Sequence, residues 1–217
     1  MALPFRDRHD AGRQLAMKLA HYQGNPDVLV LALPRGGVPV GFEVADYLGA
    51  PLDVFIVRKV GVPGHEELAL GAIASGGVRV LNQDVLAMMD IDEQTLEALF
   101  ERQQREVERR ELLYRNGRPP LDIERRIVIL VDDGLATGAT MLAAVRAVRQ
   151  HRPQRVVVGV PVAAPDVCRA FRRHVDEIVC VETPSPFQAV GLWYVDFTQT
   201  SDAEVRELLA RSAGVAL

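Results

Sequence analysis

Lysine is nearly missing from this chain: of its 25 basic residues only Lys18 and Lys59 are lysines, and the rest are arginine. Arginine is always charged and presents a rigid fork of donors, whereas lysine is a mobile point charge, so a lysine retained against that bias marks a position where the two are not interchangeable. By pattern Lys18 falls on a solvated helix face and Lys59 does not. Cysteine is scarce too, with Cys168 and Cys180 alone, no CxxC and no zinc-like histidine spacing, which excludes a disulfide scaffold and a zinc module. Neither GxGxxG nor GxxxxGK[ST] occurs, which excludes the dinucleotide fingerprint and the P-loop. A strong bias of charge is also lacking. The formal net charge of −4 is mixed along the chain, so no nucleic-acid partner is expected. No apolar run is long enough to span a bilayer, and the stretch from Phe5 to Asp10 is charged where a signal peptide needs an apolar core. No membrane partner and a cytoplasmic location are therefore expected.

What is present is the mixture of a globular protein, 48% hydrophobic and 25% charged in 217 residues, enough for one domain over 1–217 with one substantial core. The chain is organised around Arg126 to Met141, RIVILVDDGLATGATM. Ile127 to Val131 is an unbroken β-branched and leucine run, the pattern of a strand buried on both faces of a parallel sheet. Asp132 and Asp133 then stand at the carboxyl end of that strand, where open α/β sheets bind ligands. Gly134 and Gly138 allow close backbone approach, and a helical pattern from Ala139 to Gln150 puts Ala136, Thr137, Gly138, Ala139 and Thr140 at a helix N-terminus. Free N–H groups and the helix dipole make such a turn an anion site. Each hydrogen bond to a charged group contributes roughly 1.5 to 3 kcal/mol, so amides and two hydroxyls can hold a phosphate without a basic side chain. A phosphate cradle beside two carboxylates suits a ligand with a phosphate at one end and a vicinal diol near it, and carboxylates also attract hydrated Mg²⁺. A ribose 5-phosphate has that shape.

These residues resemble the phosphoribosyl-pyrophosphate motif of type I phosphoribosyltransferases: apolar strand, two acidic residues, and a turn ending in TGxT, here Thr137 to Thr140. The resemblance extends over about residues 28–181. It implies an open parallel α/β sheet with helices on both faces and a small hood or helical insertion. It also implies transfer of ribose 5-phosphate from phosphoribosyl pyrophosphate to a nitrogen acceptor, with Mg²⁺ and release of pyrophosphate. Asp132 and Asp133 then take the ribose diol and, through water, the metal, while residues 136–140 take the 5'-phosphate. A phosphoribosyl-pyrophosphate-binding regulator without catalysis is the alternative reading.

The remaining segments are read around that centre. An amphipathic helix is expected over 7–22, with Ala11, Leu15, Leu19 and Tyr22 on one face. Val28 to Leu33 reads as a buried strand running into Pro34, Arg35, Gly36 and Gly37, with a helix from Val38 to Leu48 behind. Alone, PRGG could be a βα turn with a solvated arginine; beside the central motif it resembles the pyrophosphate loop of the family, which assigns Arg35, Gly36 and Gly37 to pyrophosphate. Leu52 to Val57 is expected as the next strand, with Arg58 and Lys59 at its end and a flexible loop over about 58–77, in which Ala69 to Ala74 could be extended. RKxG resembles the flexible-loop start of adenine phosphoribosyltransferases, whose following GKLP reads GVP here. Arg58 and Lys59 are accordingly expected to serve the leaving group. Hypoxanthine and guanine enzymes carry an Asp just before TGxT; Ala136 stands there, so proton transfer to the acceptor falls to His65, Glu66 and Glu67, with Glu67 nearest the adenine pattern.

A helical insertion is expected over about 82–118, capped by Asp92 and ending at Gly117, with a thin stripe of Leu96, Phe100, Val107 and Tyr114. It either lies solvated over the core or forms a hood or an oligomer contact, and a homodimer is expected. Strands at Arg155 to Val160 and Glu177 to Val181 flank a helix at Pro165 to Arg173. The tail, about 182–217, carries Phe187, Trp193, Tyr194 and Phe197, which either seal the sheet edge or, through Trp193 and Tyr194, stack on an acceptor ring.

Overall fold

The structure, a computed structural model, describes residues 4–214 apart from residue 90, and leaves the side chains of Glu66 and Glu67 outside the described set. Five parallel strands form the main sheet in the order β2-β1-β6-β7-β8: β1 is Val28–Ala32, β2 Leu52–Val54, β6 Ile127–Val131, β7 Arg155–Val162 and β8 Glu177–Glu182. The central strands β1 and β6 are apolar throughout because helices cover both faces, so each feeds two cores by its period of two. Val28, Val30, Ile127 and Ile129 face one cluster with Leu15, Leu19, Val44 and Leu48. Leu29, Leu31, Val128 and Leu130 face the other, with Met141, Val145 and Val148. The first cluster is roofed by α1 (Arg8–Lys18) and α2 (Gly37–Leu48), the second by α5 (Ala139–Gln150) and α6 (Pro165–Phe171). The α/β architecture expected from the sequence is the one found.

The expected loop at 58–77 is instead mostly a second sheet. Strands β3 (Val57–Val62), β4 (His65–Ala74) and β5 (Val78–Leu81) pair antiparallel, with β4 in the middle. The expected strand over 52–57 breaks, since β2 ends at Val54 and Val57 already pairs with Ala74. Phe55 and Ile56 between them are buried, and the Ser75 hydroxyl accepts from the Ile56 amide at 2.9 Å where the chain changes sheets. Glycines obscure this pattern in the sequence, yet Val60, Val62, Leu70, Ala72 and Ala74 are all buried.

The insertion contains a short helix α3 (Gln83–Met88) and a long one, α4 (Glu93–Arg115), with Asp92 accepting from the Thr95 amide at the start and Asn116 left-handed at the end. Phe100, Val107 and Tyr114 are buried, where α4 packs on the β3–β4 hairpin and on α7 (Asp202–Ser212). Its last turn is fixed to the main sheet by a buried ion pair, Arg115 Nε to Asp53 Oδ2 at 3.0 Å, with Val54 O accepting from Arg115 Nη2 at 3.2 Å. No described helix is long and apolar enough to cross a membrane.

Candidate active site

β1 and β6 are neighbours in register, Ala32 opposite Val131, so the turns that follow them meet. Leu33 donates to Val131 O at 2.9 Å, which brings the Pro34–Gly37 turn beside the aspartates. The contact demands glycine: a Cβ on Gly37 would lie 2.7 Å from Val131 O, and one on Gly36 would collide with the Asp133 carboxylate. The peptide bond between Pro34 and Arg35 is cis.

Beyond the aspartates the loop is held from below and open above. Leu135 is buried, and its amide donates to Val162 O at 2.9 Å while its carbonyl accepts from Ala164 at 3.1 Å. Gly138 caps α5 at φ +74, and a side chain there would strike Phe171. Ala136, Thr137, Ala139 and Thr140 are exposed, so the helix start and its hydroxyls face outward. Exposed amides and hydroxyls at a helix N-terminus are an arrangement that suits an anion.

Asp132 and Asp133 are not equivalent. Asp132 Oδ1 accepts from the Asp133 amide at 2.9 Å. Protein crowds its carboxyl so closely that little hydration remains despite some residual exposure, and burial, then the charge of Asp133, push its pKa well above the usual carboxylate range. Burial also raises Asp133, but Arg8 opposes this, its Nε donating to Asp133 Oδ2 at 2.8 Å. Arg8 is itself framed: Nη1 donates to Thr198 O at 2.7 Å, and the guanidinium lies 4.0 Å from the centre of the Phe197 ring, a cation–π distance. Tyr194 donates its hydroxyl to Asp133 O at 2.6 Å.

Two cavities flank this centre. One, of about 470 Å³, lies against the Pro34–Gly36 turn and Asp133 and is walled by Arg8, Arg109, Arg110 and Tyr114. The other, of about 510 Å³, lies against Ala136 and Thr137 and is walled by α6 and by Ser185, Phe187 and Gln188.

Several expected residues stand elsewhere. Arg58 and Lys59 are not at a strand end but inside β3, where alternation turns them to opposite faces. Arg58 donates to Gln103 of α4 at 3.1 Å. Lys59 is exposed and lines a smaller cavity, about 170 Å³, with Ala139, Leu142 and Arg146 of α5. Neither lines the cavity at Arg35. The backbone of Glu67 runs in β4, and its side chain, like that of Glu66, lies outside the described residues. Tyr194 has no open ring face to stack on a ligand: it is 6% exposed, packed against Phe5 and Phe197 at ring-centre distances of 5.5 and 5.0 Å. Trp193 packs against the same cluster; the aromatic that borders the cradle's cavity is Phe187. Arg8, Arg109 and Arg110 carry no motif in the sequence, and only the fold brings them to the aspartates.

The chain belongs to the family of the phosphoribosyl transferase domain, whose model matches residues 6–194. Two curated relatives from Mycobacterium tuberculosis, strains CDC 1551 / Oshkosh and ATCC 25618 / H37Rv, are provisionally named phosphoribosyl transferases. Each is 50% identical over 208 residues, 96% of this chain and 47% of the relative. The chain thus spans about half the length of the curated relatives it matches. The crystal structure of TT1426 from Thermus thermophilus is similar at 45% identity and a TM-score of 0.86, covering 96% of this chain and 99% of that one. The AQ2163 protein of Aquifex aeolicus shares the fold at 13% identity and a TM-score of 0.50, over 93% of this chain and 85% of that one.

Proposed function

We propose that the chain transfers ribose 5-phosphate from phosphoribosyl pyrophosphate to a nitrogen acceptor. The observation that carries this reading is the junction of two anion-binding turns on a carboxylate pair: the cradle at 136–140 on one side of Asp132 and Asp133, the Arg35 turn on the other. A donor with a monophosphate at one end, a diol in the middle and a diphosphate at the other matches that order. The C1–O bond breaks with its electron pair leaving on pyrophosphate, the C1–N bond forms, and the acceptor nitrogen gives up its proton.

The transition state is oxocarbenium-like, as in glycoside cleavage. It therefore needs carboxylates near the ribose and cations on the departing diphosphate. Asp133 accepts from a ribose hydroxyl when Arg8 yields its place. The amides and hydroxyls of 137–140 anchor the 5'-phosphate and fix C1 relative to the acceptor. The cavity beside Ala136, bordered by Phe187, takes the acceptor. Ala136 carries no titratable group, so the acceptor's proton is not taken by the central loop.

Among the described residues no group of three metal-ligating side chains occurs, which does not suit a cage built from protein alone. Two carboxylates do suit Mg²⁺, which keeps several waters and shares phosphate oxygens with its substrate. Asp132 and Asp133 would hold it through water, and it would neutralise charge on the donor's phosphates.

The test is to incubate the protein with Mg²⁺, phosphoribosyl pyrophosphate and pooled nucleobases and look for new nucleotides by mass. Calorimetric titration of the donor accompanies it. Mg²⁺-dependent donor affinity that collapses in the Asp132→Asn/Asp133→Asn variant, together with a new nucleotide, is the expected result. Equal affinity in both proteins overturns the assignment, and binding without any product makes the chain a regulator instead.

A further inference from the structure

The cavity at the Pro34–Gly36 turn has a wall that the family resemblance does not supply. Arg109 and Arg110 reach it from α4, Arg8 from α1 and Arg35 from the turn itself. Four guanidiniums thus face two carboxylates, Asp133 and Asp202, across about 470 Å³.

Their present partners leave donor capacity over. Arg109 and Arg110 share one carboxylate, Glu106, at 2.8 and 2.7 Å. Arg110 donates there through Nε, to Glu106 Oε1. Arg35 approaches Asp202 only to 3.7 Å. A guanidinium has five N–H donors in a planar fork, so Arg35 and Arg110 hold unspent donors beside a polar cavity. Asp202 also accepts from the Tyr114 hydroxyl at 2.7 Å, so part of its charge is already engaged.

We propose that α4 is a diphosphate clamp, in which Arg109 and Arg110 complete with Arg35 and Arg8 a site for the departing diphosphate of the donor. The proposal rests on the transferase reading for the identity of the donor, and it moves the leaving-group role from Arg58 and Lys59, which line other surfaces, to the insertion helix. A diphosphate suits the site better than a single phosphate because arginines approach from three separate elements around a cavity of about 470 Å³, so their forks can be shared between two phosphoryl groups. The buried Arg115–Asp53 pair fixes α4 to β2, so the wall is in place before the ligand arrives.

The probe is inorganic pyrophosphate, with orthophosphate for comparison, titrated calorimetrically at low ionic strength into the whole chain. Wild type should bind pyrophosphate at least about tenfold tighter than orthophosphate. Arg109→Gln/Arg110→Gln should weaken pyrophosphate by at least about tenfold to a hundredfold, the range for losing one charge-assisted hydrogen bond. Arg102→Gln/Arg105→Gln is the control: it removes the same two charges from the same helix, but both side chains are exposed and neither lines the cavity, and it should leave pyrophosphate affinity unchanged. Thermal unfolding of each variant shows whether α4 stays folded. Equal pyrophosphate affinity in wild type and a folded double variant overturns the clamp, as does a wild type that binds pyrophosphate no better than orthophosphate. An arginine-dependent pyrophosphate site in a protein that makes no nucleotide retains the clamp and removes the transferase reading, so the two fail separately.

Discussion

Replacing Asp132 by Asn should stabilise the ligand-free protein at neutral pH while abolishing donor affinity. The carboxyl is crowded by protein, receives a hydrogen bond from the Asp133 amide, and has a second carboxylate next to it, whereas Arg8 pairs with Asp133. A charge so placed carries a desolvation penalty of several kcal/mol that only a well-made pair repays. Asn keeps the shape and the oxygen that accepts from Asp133. Relieving a destabilised functional residue typically yields about 0.5 to 2 kcal/mol. At roughly 2 to 4 °C per kcal/mol for a domain of this size, that is a rise of about 1 to 8 °C in Tm.

The sign with pH follows from the raised pKa. The folded state holds this proton more tightly than the unfolded chain, whose aspartates titrate near about 3.9. Wild-type stability therefore falls as pH rises from that value through the raised folded pKa, and the variant lacks this loss. Calorimetric unfolding of both proteins from pH 4 to pH 8 should show curves that meet at the acid end and separate towards neutrality. A variant less stable than wild type at pH 8, or one more stable by the same margin at pH 4, would refute the reasoning.

Arg8→Gln removes the cation that opposes the rise of Asp133, so Mg²⁺-dependent donor binding should set in at higher pH than in wild type; an unshifted onset in a calorimetric pH series contradicts this. Arg115→Ala leaves Asp53 buried without its cation and should cost about 3 to 5 kcal/mol, read from the urea midpoint, whereas a loss under about 1 kcal/mol would mean water reaches Asp53. Burial, then the contact with Cys168 at 2.8 Å between sulfurs, pushes the Cys180 thiol up, so it should resist a thiol reagent at pH 8 in the native state and react after denaturation. Immediate native labelling of Cys180 would contradict that environment.

The main sheet is legible in the sequence because its signal is local. Ile127 to Val131 and the residues after it lie on consecutive positions, so one stretch of sequence holds both the strand and the cradle. The β3–β4 hairpin is not legible, because its glycines and small residues blur the alternation that buries Val60, Val62 and Ala72. Arg58 and Lys59 look like one basic feature in sequence, and the pleat separates them. The tail aromatics stand out in the composition, but a sequence cannot say that Tyr194 turns its ring inward and spends its hydroxyl on Asp133 O. Arg109 and Arg110 are hidden by their own helix, where Glu106 with Arg110 reads as an ordinary stabilising pair.

Arg8 joins three distant parts of the chain: it donates to Asp133, 125 positions away, and to Thr198, 190 positions away, and covers the ring of Phe197. Contacts of such separation form late, since long loops must close before they are rewarded. During synthesis the cradle at 136–140 and the core layer under α5 and α6 can assemble while the residues that frame Arg8 are still unmade. Until Thr198 has emerged, Arg8 lacks the frame that holds it against Asp133, so the nascent domain passes through a period in which the acidic pair stands without its guard. The order of translation thus sets the electrostatic balance of the site only after the cradle itself has been made.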